Sequence, residues 1–224
     1  MRLSDPGRRV ALVGLAAGAA ALAWPGAARA GAQVEEPLAD QVRSALSAAI
    51  ASSAPPPELK FDSTESHIVY LRWLFAMNDR LKKRKTETRE RVEFLQTLWY
   101  ESHRAGLEPA LVLGLVQVES GFRKYAISVA GARGYTQVMP FWARQIGDGD
   151  AARLFVMQTN LRFGCVILRH YLDREQGDLF MALGRYNGSR GQSAYPDAVL
   201  GCRKQWLMPL APKTPSSAPA SAAR

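Results

Sequence analysis

The 224-residue chain carries 29 Lys and Arg against 20 Asp and Glu, a formal net charge of +9, and is 47% hydrophobic and 22% charged. This balance suits a globular protein and excludes a chain disordered throughout. The positive excess favours anionic surroundings such as cell-wall polymers, lipid head groups or nucleic acid.

Taken in chain order, the first 30 residues read as an export signal. Arg8 and Arg9 precede an uncharged run over residues 10–24, and Ala28-Arg29-Ala30 supplies small-x-small cleavage chemistry, so the cut is expected after Ala30. The apolar run is short for a transmembrane helix. The arginine pair leaves both the general secretory and the twin-arginine routes open. Cleavage would remove four arginines and Asp5, lowering the charge to +6. Export places the protein in the periplasm.

Residues 31–61 are Ala-, Ser- and Pro-rich, with one weakly amphipathic helix expected near 38–50, ended by Pro55-Pro56-Pro57. From Asp62-Ser63 the hydrophobic period is helical. Ile68, Leu71, Trp73, Leu74 and Phe75 form one stripe, and Val92, Phe94, Leu95, Leu98 and Trp99 another. Lys82-Lys83-Arg84-Lys85 between them resembles a nucleic-acid patch, but in an exported protein it reads as a solvated turn, and no nucleic-acid partner is expected. Residues 107–118 are apolar nearly all round, which predicts a buried helix started by Glu108-Pro109 and ended at Gly121. Further helices are expected over 137–146, 160–173, 178–186 and 195–206, with Asn160 and Asp178 as N-caps. Strand signals are almost absent. Residues 62–210 therefore form one all-α domain, and residues 211–224 a disordered tail.

Cys165 and Cys202 would meet an oxidising compartment together, so one disulfide is expected. The histidines are scattered and the cysteines lack ligand spacing, so no metal site is indicated and no cofactor is expected. Glu119 stands out at the end of the apolar helix. There the helix dipole and burial both oppose ionisation, as a general acid requires. A carboxylate so placed could equally pair with an arginine or lie at a solvated helix end, and the helix alone does not decide.

Three stretches bear on that choice. Glu119-Ser120-Gly121-Phe122 is followed by Ser128-Val129-Ala130-Gly131-Ala132 and Gly134-Tyr135-Thr136-Gln137-Val138-Met139-Pro140, then by Arg185-Tyr186-Asn187-Gly188. In order and spacing the sequence resembles the soluble lytic transglycosylases, helical enzymes of the lysozyme-like superfamily related to goose-type lysozyme. Their pattern reads E-S-x-F, S-x-x-G-A-x-G-L-M-Q-x-M-P and A-Y-N. The resemblance covers roughly residues 90–200. It implies a lysozyme-like fold with an extra N-terminal helical segment, and Glu119 as the sole catalytic acid and base. It also implies that Ser128, Gln137 and Met139 line the sugar cleft, that Tyr186 lies near the Glu119 carboxyl, and that Asn187 faces the glycan. The pattern is departed from in two places: Tyr135-Thr136 replaces Leu-Met, and Arg185 replaces Ala, which adds a cation near the cleft.

The resemblance further implies a monomer acting on peptidoglycan strands. It would cleave between N-acetylmuramic acid and N-acetylglucosamine, leaving 1,6-anhydromuramyl ends. The compact single domain leaves general wall turnover and service of a secretion or pilus apparatus both open. A goose-type hydrolase would want a second acid, for which Asp148 and Asp150 are the nearby cluster, although that stretch reads as a loop and helix cap. A non-catalytic glycan-binding scaffold is the alternative from outside enzymology.

Overall fold

In the computed structural model, the described residues are 33, 35–51 and 59–208. The expected signal peptide, the proline run and the C-terminal tail lie outside them. Eight α-helices follow in order among the described residues: α1 Asp40–Ile50, α2 Thr64–Leu81, α3 Thr88–Arg104, α4 Pro109–Ser120, α5 Pro140–Ile146, α6 Met157–Arg174, α7 Leu179–Asn187 and α8 Ala194–Lys204. A 3₁₀ turn at Ala151–Phe155 precedes α6. Among the described residues the only β pairing is two isolated bridges, Ile127 with Arg133 and Arg133 with Val138. The expected all-α class is observed.

The apolar helix α4 is the central rod. Pro109 occupies its first turn and Gly121, at φ 57°, ends it in the left-handed region that glycine adopts without strain. Residues 110–116 are all buried, packed between α3 and α8. At Gly114 the contact with α8 is backbone to backbone: a Cβ there would lie 2.8 Å from both Arg203 N and Val199 O. Alanine would gain helix propensity of about 1 kcal/mol, yet it would have to push α8 away. Gly114→Ala is therefore expected to destabilise the protein by about 1–3 kcal/mol, measured by urea denaturation.

Helix α2 differs from its expected orientation. Tyr70, Trp73, Met77 and Leu81 face the core, whereas Ile68, Leu71 and Phe75 are exposed, Phe75 by 78%. The helix carries two apolar rows, and the row that meets Trp99 of α3 wins: Tyr70 and Trp73 lie 5.2 and 4.6 Å from its ring. In the basic turn Lys85 is not solvated. It is 6% exposed, and its ammonium donates to Glu90 at 2.8 Å and to the Tyr135 hydroxyl at 3.0 Å.

Helix α6 begins earlier than expected, at Met157, and Asn160 lies inside it, not at its cap. Its carboxamide is committed elsewhere, as described below. Asp178 does cap α7, accepting from Met181 N at 3.0 Å. The N-terminal segment is not separate from the body. Helix α1 packs on α5 and α6, and Trp142 donates its indole N–H to Gln33 at 2.8 Å.

The expected bridge between Cys165 and Cys202 is not formed; both are free thiols. Cys165 is buried on α6 near Glu101 and Arg104, while Cys202 lies on α8 near Arg84. Helix α7 packs against both α6 and α8, and the two cysteines face different surroundings.

Candidate active site

Glu119 sits in the last turn of α4 and is only 6% exposed. Its Oε1 accepts a short hydrogen bond from the Tyr195 hydroxyl, and its Oε2 is buried without a hydrogen-bond partner among the described residues. No ion pair includes it among the described residues, so the alternatives of an arginine partner and a solvated end both fail. Burial pushes its pKa up to about 8, partly offset by the Tyr195 hydrogen bond. An oxygen that meets no donor suits a carboxyl group carrying its own proton.

Two phenols surround the acid. Tyr195 comes from the first turn of α8, and Tyr186 from the last turn of α7. Burial, and next the Glu119 charge, raise both phenols well above their ordinary pKa, so each remains a neutral donor. Tyr186 is near Glu119, as expected, but its hydroxyl donates to Thr136 O at 2.8 Å. Ser120 likewise turns away, donating to Tyr135 O at 2.8 Å. Tyr195 is the partner that sequence reasoning missed. A buried tyrosine one helix beyond the third motif has no charge pattern or spacing to mark it.

Asn187 is 5% exposed; its amide donates to Ser189 Oγ at 2.9 Å and its Oδ1 is a buried acceptor without a partner among the described residues. The other expected cleft residues shape the loop between α4 and α5. Ser128 Oγ accepts from Ala132 N at 3.0 Å. Gln137, at φ 50°, spends its amide on Ala126 O and Gly134 O, at 3.1 and 2.9 Å. Met139 is partly buried against the core at the start of α5. None of the three hydrogen-bonds Glu119 among the described residues.

Asn160 explains the departure at Thr136. Its Oδ1 accepts from Thr136 N at 2.9 Å and its Nδ2 donates to Arg133 O and Leu154 O, both at 2.8 Å. Thr136 is fully buried and its hydroxyl completes the network through Asn160. Gly164 leaves the room, since a Cβ there would lie 2.6 Å from the Thr136 side chain. Thr136 thus serves loop packing and presents no polar group to solvent. Arg185 is also accounted for: its guanidinium pairs with Glu175 and, at 3.5 Å, with Glu36.

Asp148 and Asp150 serve structure. Asp150 caps the 3₁₀ turn through Ala152 N at 2.8 Å, and Asp148 pairs with Arg153. A groove of about 910 Å³ lined by Phe61, Glu65, Trp99, Tyr100 and His103 does not include Glu119. The buried acid, and not cavity size, marks the site.

The helical frame thus holds one buried carboxylic acid of raised pKa, outside any ion pair among the described residues, beside two neutral phenols. Residues 98–198 match the family model described as the transglycosylase SLT domain. Among similar proteins, the transglycosylase of Enterobacteria phage PRD1 is 33% identical over 116 residues, covering 49% of this chain and 42% of the phage protein. Membrane-bound lytic murein transglycosylase C of Actinobacillus pleuropneumoniae serotype 5b (strain L20) is 38% identical over 84 residues, 34% of this chain and 23% of that protein. Its namesake in Haemophilus influenzae (strain PittEE) is 42% identical over 114 residues, 44% of this chain and 32% of that protein. The chain thus spans less than half the length of these relatives. A solved structure of an inactive mutant of the lytic transglycosylase Slt from Pseudomonas aeruginosa aligns with TM-score 0.41 and 19% identity, over 62% of this chain and 27% of that one.

Proposed function

We propose that the protein is a peptidoglycan lytic transglycosylase in which Glu119 is both acid and base. The observation that carries this reading is the Glu119 carboxyl itself, buried and held by one phenol, with no ion pair and no partner for its second oxygen among the described residues. Protonated Glu119 gives its proton to the glycosidic oxygen as the bond from muramyl C1 breaks. The N-acetyl carbonyl of the muramic sugar stabilises the positive charge developing at C1, so no second carboxylate is required. Ionised Glu119 then takes the proton from the C6 hydroxyl of the same sugar as that oxygen bonds to C1. The product is a 1,6-anhydromuramyl end and the acid is regenerated. The internal hydroxyl outcompetes water because it is already held beside the reacting carbon. Tyr195 steadies the carboxylate formed after the first transfer. Ser128, Gln137 and Met139 shape the wall of the glycan cleft, and the Asn187 carbonyl offers an acceptor to a sugar N–H or hydroxyl.

The relatives named for murein support an envelope location. In this reading the chain acts in the periplasm after loss of residues 1–30, and local opening of the wall for a secretion or pilus apparatus is one task such cleavage would serve. The test is mass spectrometry of peptidoglycan digested by the purified protein. Anhydro ends are expected. Reducing ends would identify a hydrolase, and unchanged peptidoglycan a glycan-binding scaffold. Because the first step needs protonated Glu119, the rate is expected to fall as pH rises through about 8, read from the same digestion over a pH series.

A further inference from the structure

Glu175 lies in the turn between α6 and α7, with its side chain 8% exposed, and two arginines grip it. Arg190, in the α7–α8 loop, donates Nε to Oε1 and Nη2 to Oε2, each at 2.9 Å, a bidentate fork. Arg185, one residue before Tyr186, donates Nε to the same Oε1. One carboxylate thus ties the end of α6, the last turns of α7 and the loop beyond them.

That loop joins the two sides of the site. It leaves α7 at Asn187 and enters α8 at Ala194, one residue before Tyr195. It folds tightly over α7: Ser189 N donates to Gly184 O at 2.7 Å, and a Cβ on Gly184 would lie 2.9 Å from Arg190 Cα. Helix α8 starts without a side-chain cap at Ser193. Its far half is held on α4 by the close approach at Gly114 and by the Arg203–Glu108 pair. Its near half carries Tyr195, which follows directly on the loop and is buried with its hydroxyl on Glu119.

We infer that Glu175 is a positioning residue that, through Arg190 and Arg185, holds the α7–α8 loop in the register that brings Tyr195 to Glu119. The inference rests on the reading of Glu119 as the acid for its consequence in activity, but not for the geometry. Its charge is secure, because Arg190 and next Arg185 hold the carboxyl down to about 2. Glu36 and Asp178 are the other carboxylates in the cluster: Glu36 pairs with Arg174 and Arg185, and Asp178 acts on Arg190 through space. Facing Glu119 are Tyr195 from α8 and Tyr186 from α7, both neutral. Loss of the Tyr195 hydrogen bond would therefore leave burial unopposed at Glu119.

The experiment uses the full chain as wild type, Glu175→Gln, Arg190→Gln, Tyr195→Phe and the double variant Glu175→Gln/Tyr195→Phe. Carbon-13 NMR of the labelled Glu119 carboxyl gives its pKa, and anhydro-muropeptide release gives the rate. Glu175→Gln and Arg190→Gln are expected to raise the Glu119 pKa in the same direction as Tyr195→Phe, with no further rise in the double variant. Release is expected to fall about ten- to hundredfold. A Glu119 pKa unchanged in Glu175→Gln and Arg190→Gln, but raised in Tyr195→Phe, would overturn the inference whatever the rates. Failure of wild type to form anhydro ends would instead overturn the activity, while the NMR comparison would still judge the positioning.

Discussion

Glu119→Gln is expected to abolish anhydro-muropeptide release, lowering the rate by at least about 10³-fold, since the same side chain serves as acid and then as base. The amide keeps the shape and can still accept from Tyr195, so the fold should persist. Stability should change with a definite sign. In the wild type the folded acid keeps its proton up to about pH 8, whereas the unfolded chain releases it near 4.5. Between those values the folded state binds more protons, so wild-type stability falls as pH rises, by about 1.4 kcal/mol per pH unit. Glu119→Gln lacks this loss. The two proteins should be equally stable below pH 4.5 and diverge above it, the variant being the more stable. Urea denaturation at pH 4, 6 and 8 measures this. Equal stabilities throughout would mean that the carboxyl is not held protonated, and the proposed acid would lose its physical basis.

Glu101→Ala should give the largest loss of stability. Glu101 on α3 and Arg162 on α6 are 1% and 2% exposed, with Arg162 Nη2 and Nε at 2.6 and 3.0 Å from Glu101 Oε1. Arg104 approaches the second oxygen at 3.5 Å. Removing the carboxylate leaves the Arg162 guanidinium buried without its counter-charge, which costs about 3–5 kcal/mol. For a domain of this size, that lowers the melting temperature by on the order of 10 °C. Replacing both partners, as Glu101→Leu with Arg162→Met, should recover most of it, because the pair's attraction is largely offset by its own desolvation. Calorimetry of the two variants separates the cases. If Glu101→Ala melts with wild-type cooperativity and temperature, the α3–α6 joint does not depend on the pair. The joint matters to the site because α6 carries Asn160, which fixes the backbone at Thr136.

The elements and the acid were legible in the sequence because each has a local cause. The apolar circuit of α4, Pro109 at its start and Gly121 at its end are properties of neighbouring residues. So are the Asp178 cap and the position of Glu119 at a greasy helix end. What depends on distant partners was not legible. Asn160 looks like a cap by type, but its carboxamide is claimed by Thr136, Arg133 and Leu154 across the fold. Lys85 looks solvated within its basic run, but Tyr135 and Glu90 draw it inward. Two apolar rows on α2 compete, and only the packing of Trp99 decides between them. An export signal makes a disulfide reasonable, whereas the different packing of α6 and α8 sets the two thiols in separate surroundings. Above all, sequence placed a carboxylic acid where burial would raise its pKa, but only the tertiary structure supplied Tyr195, 76 residues downstream. A hydrogen bond across that separation has no period, cap or motif to announce it; it exists because α8 crosses α4 closely at a glycine.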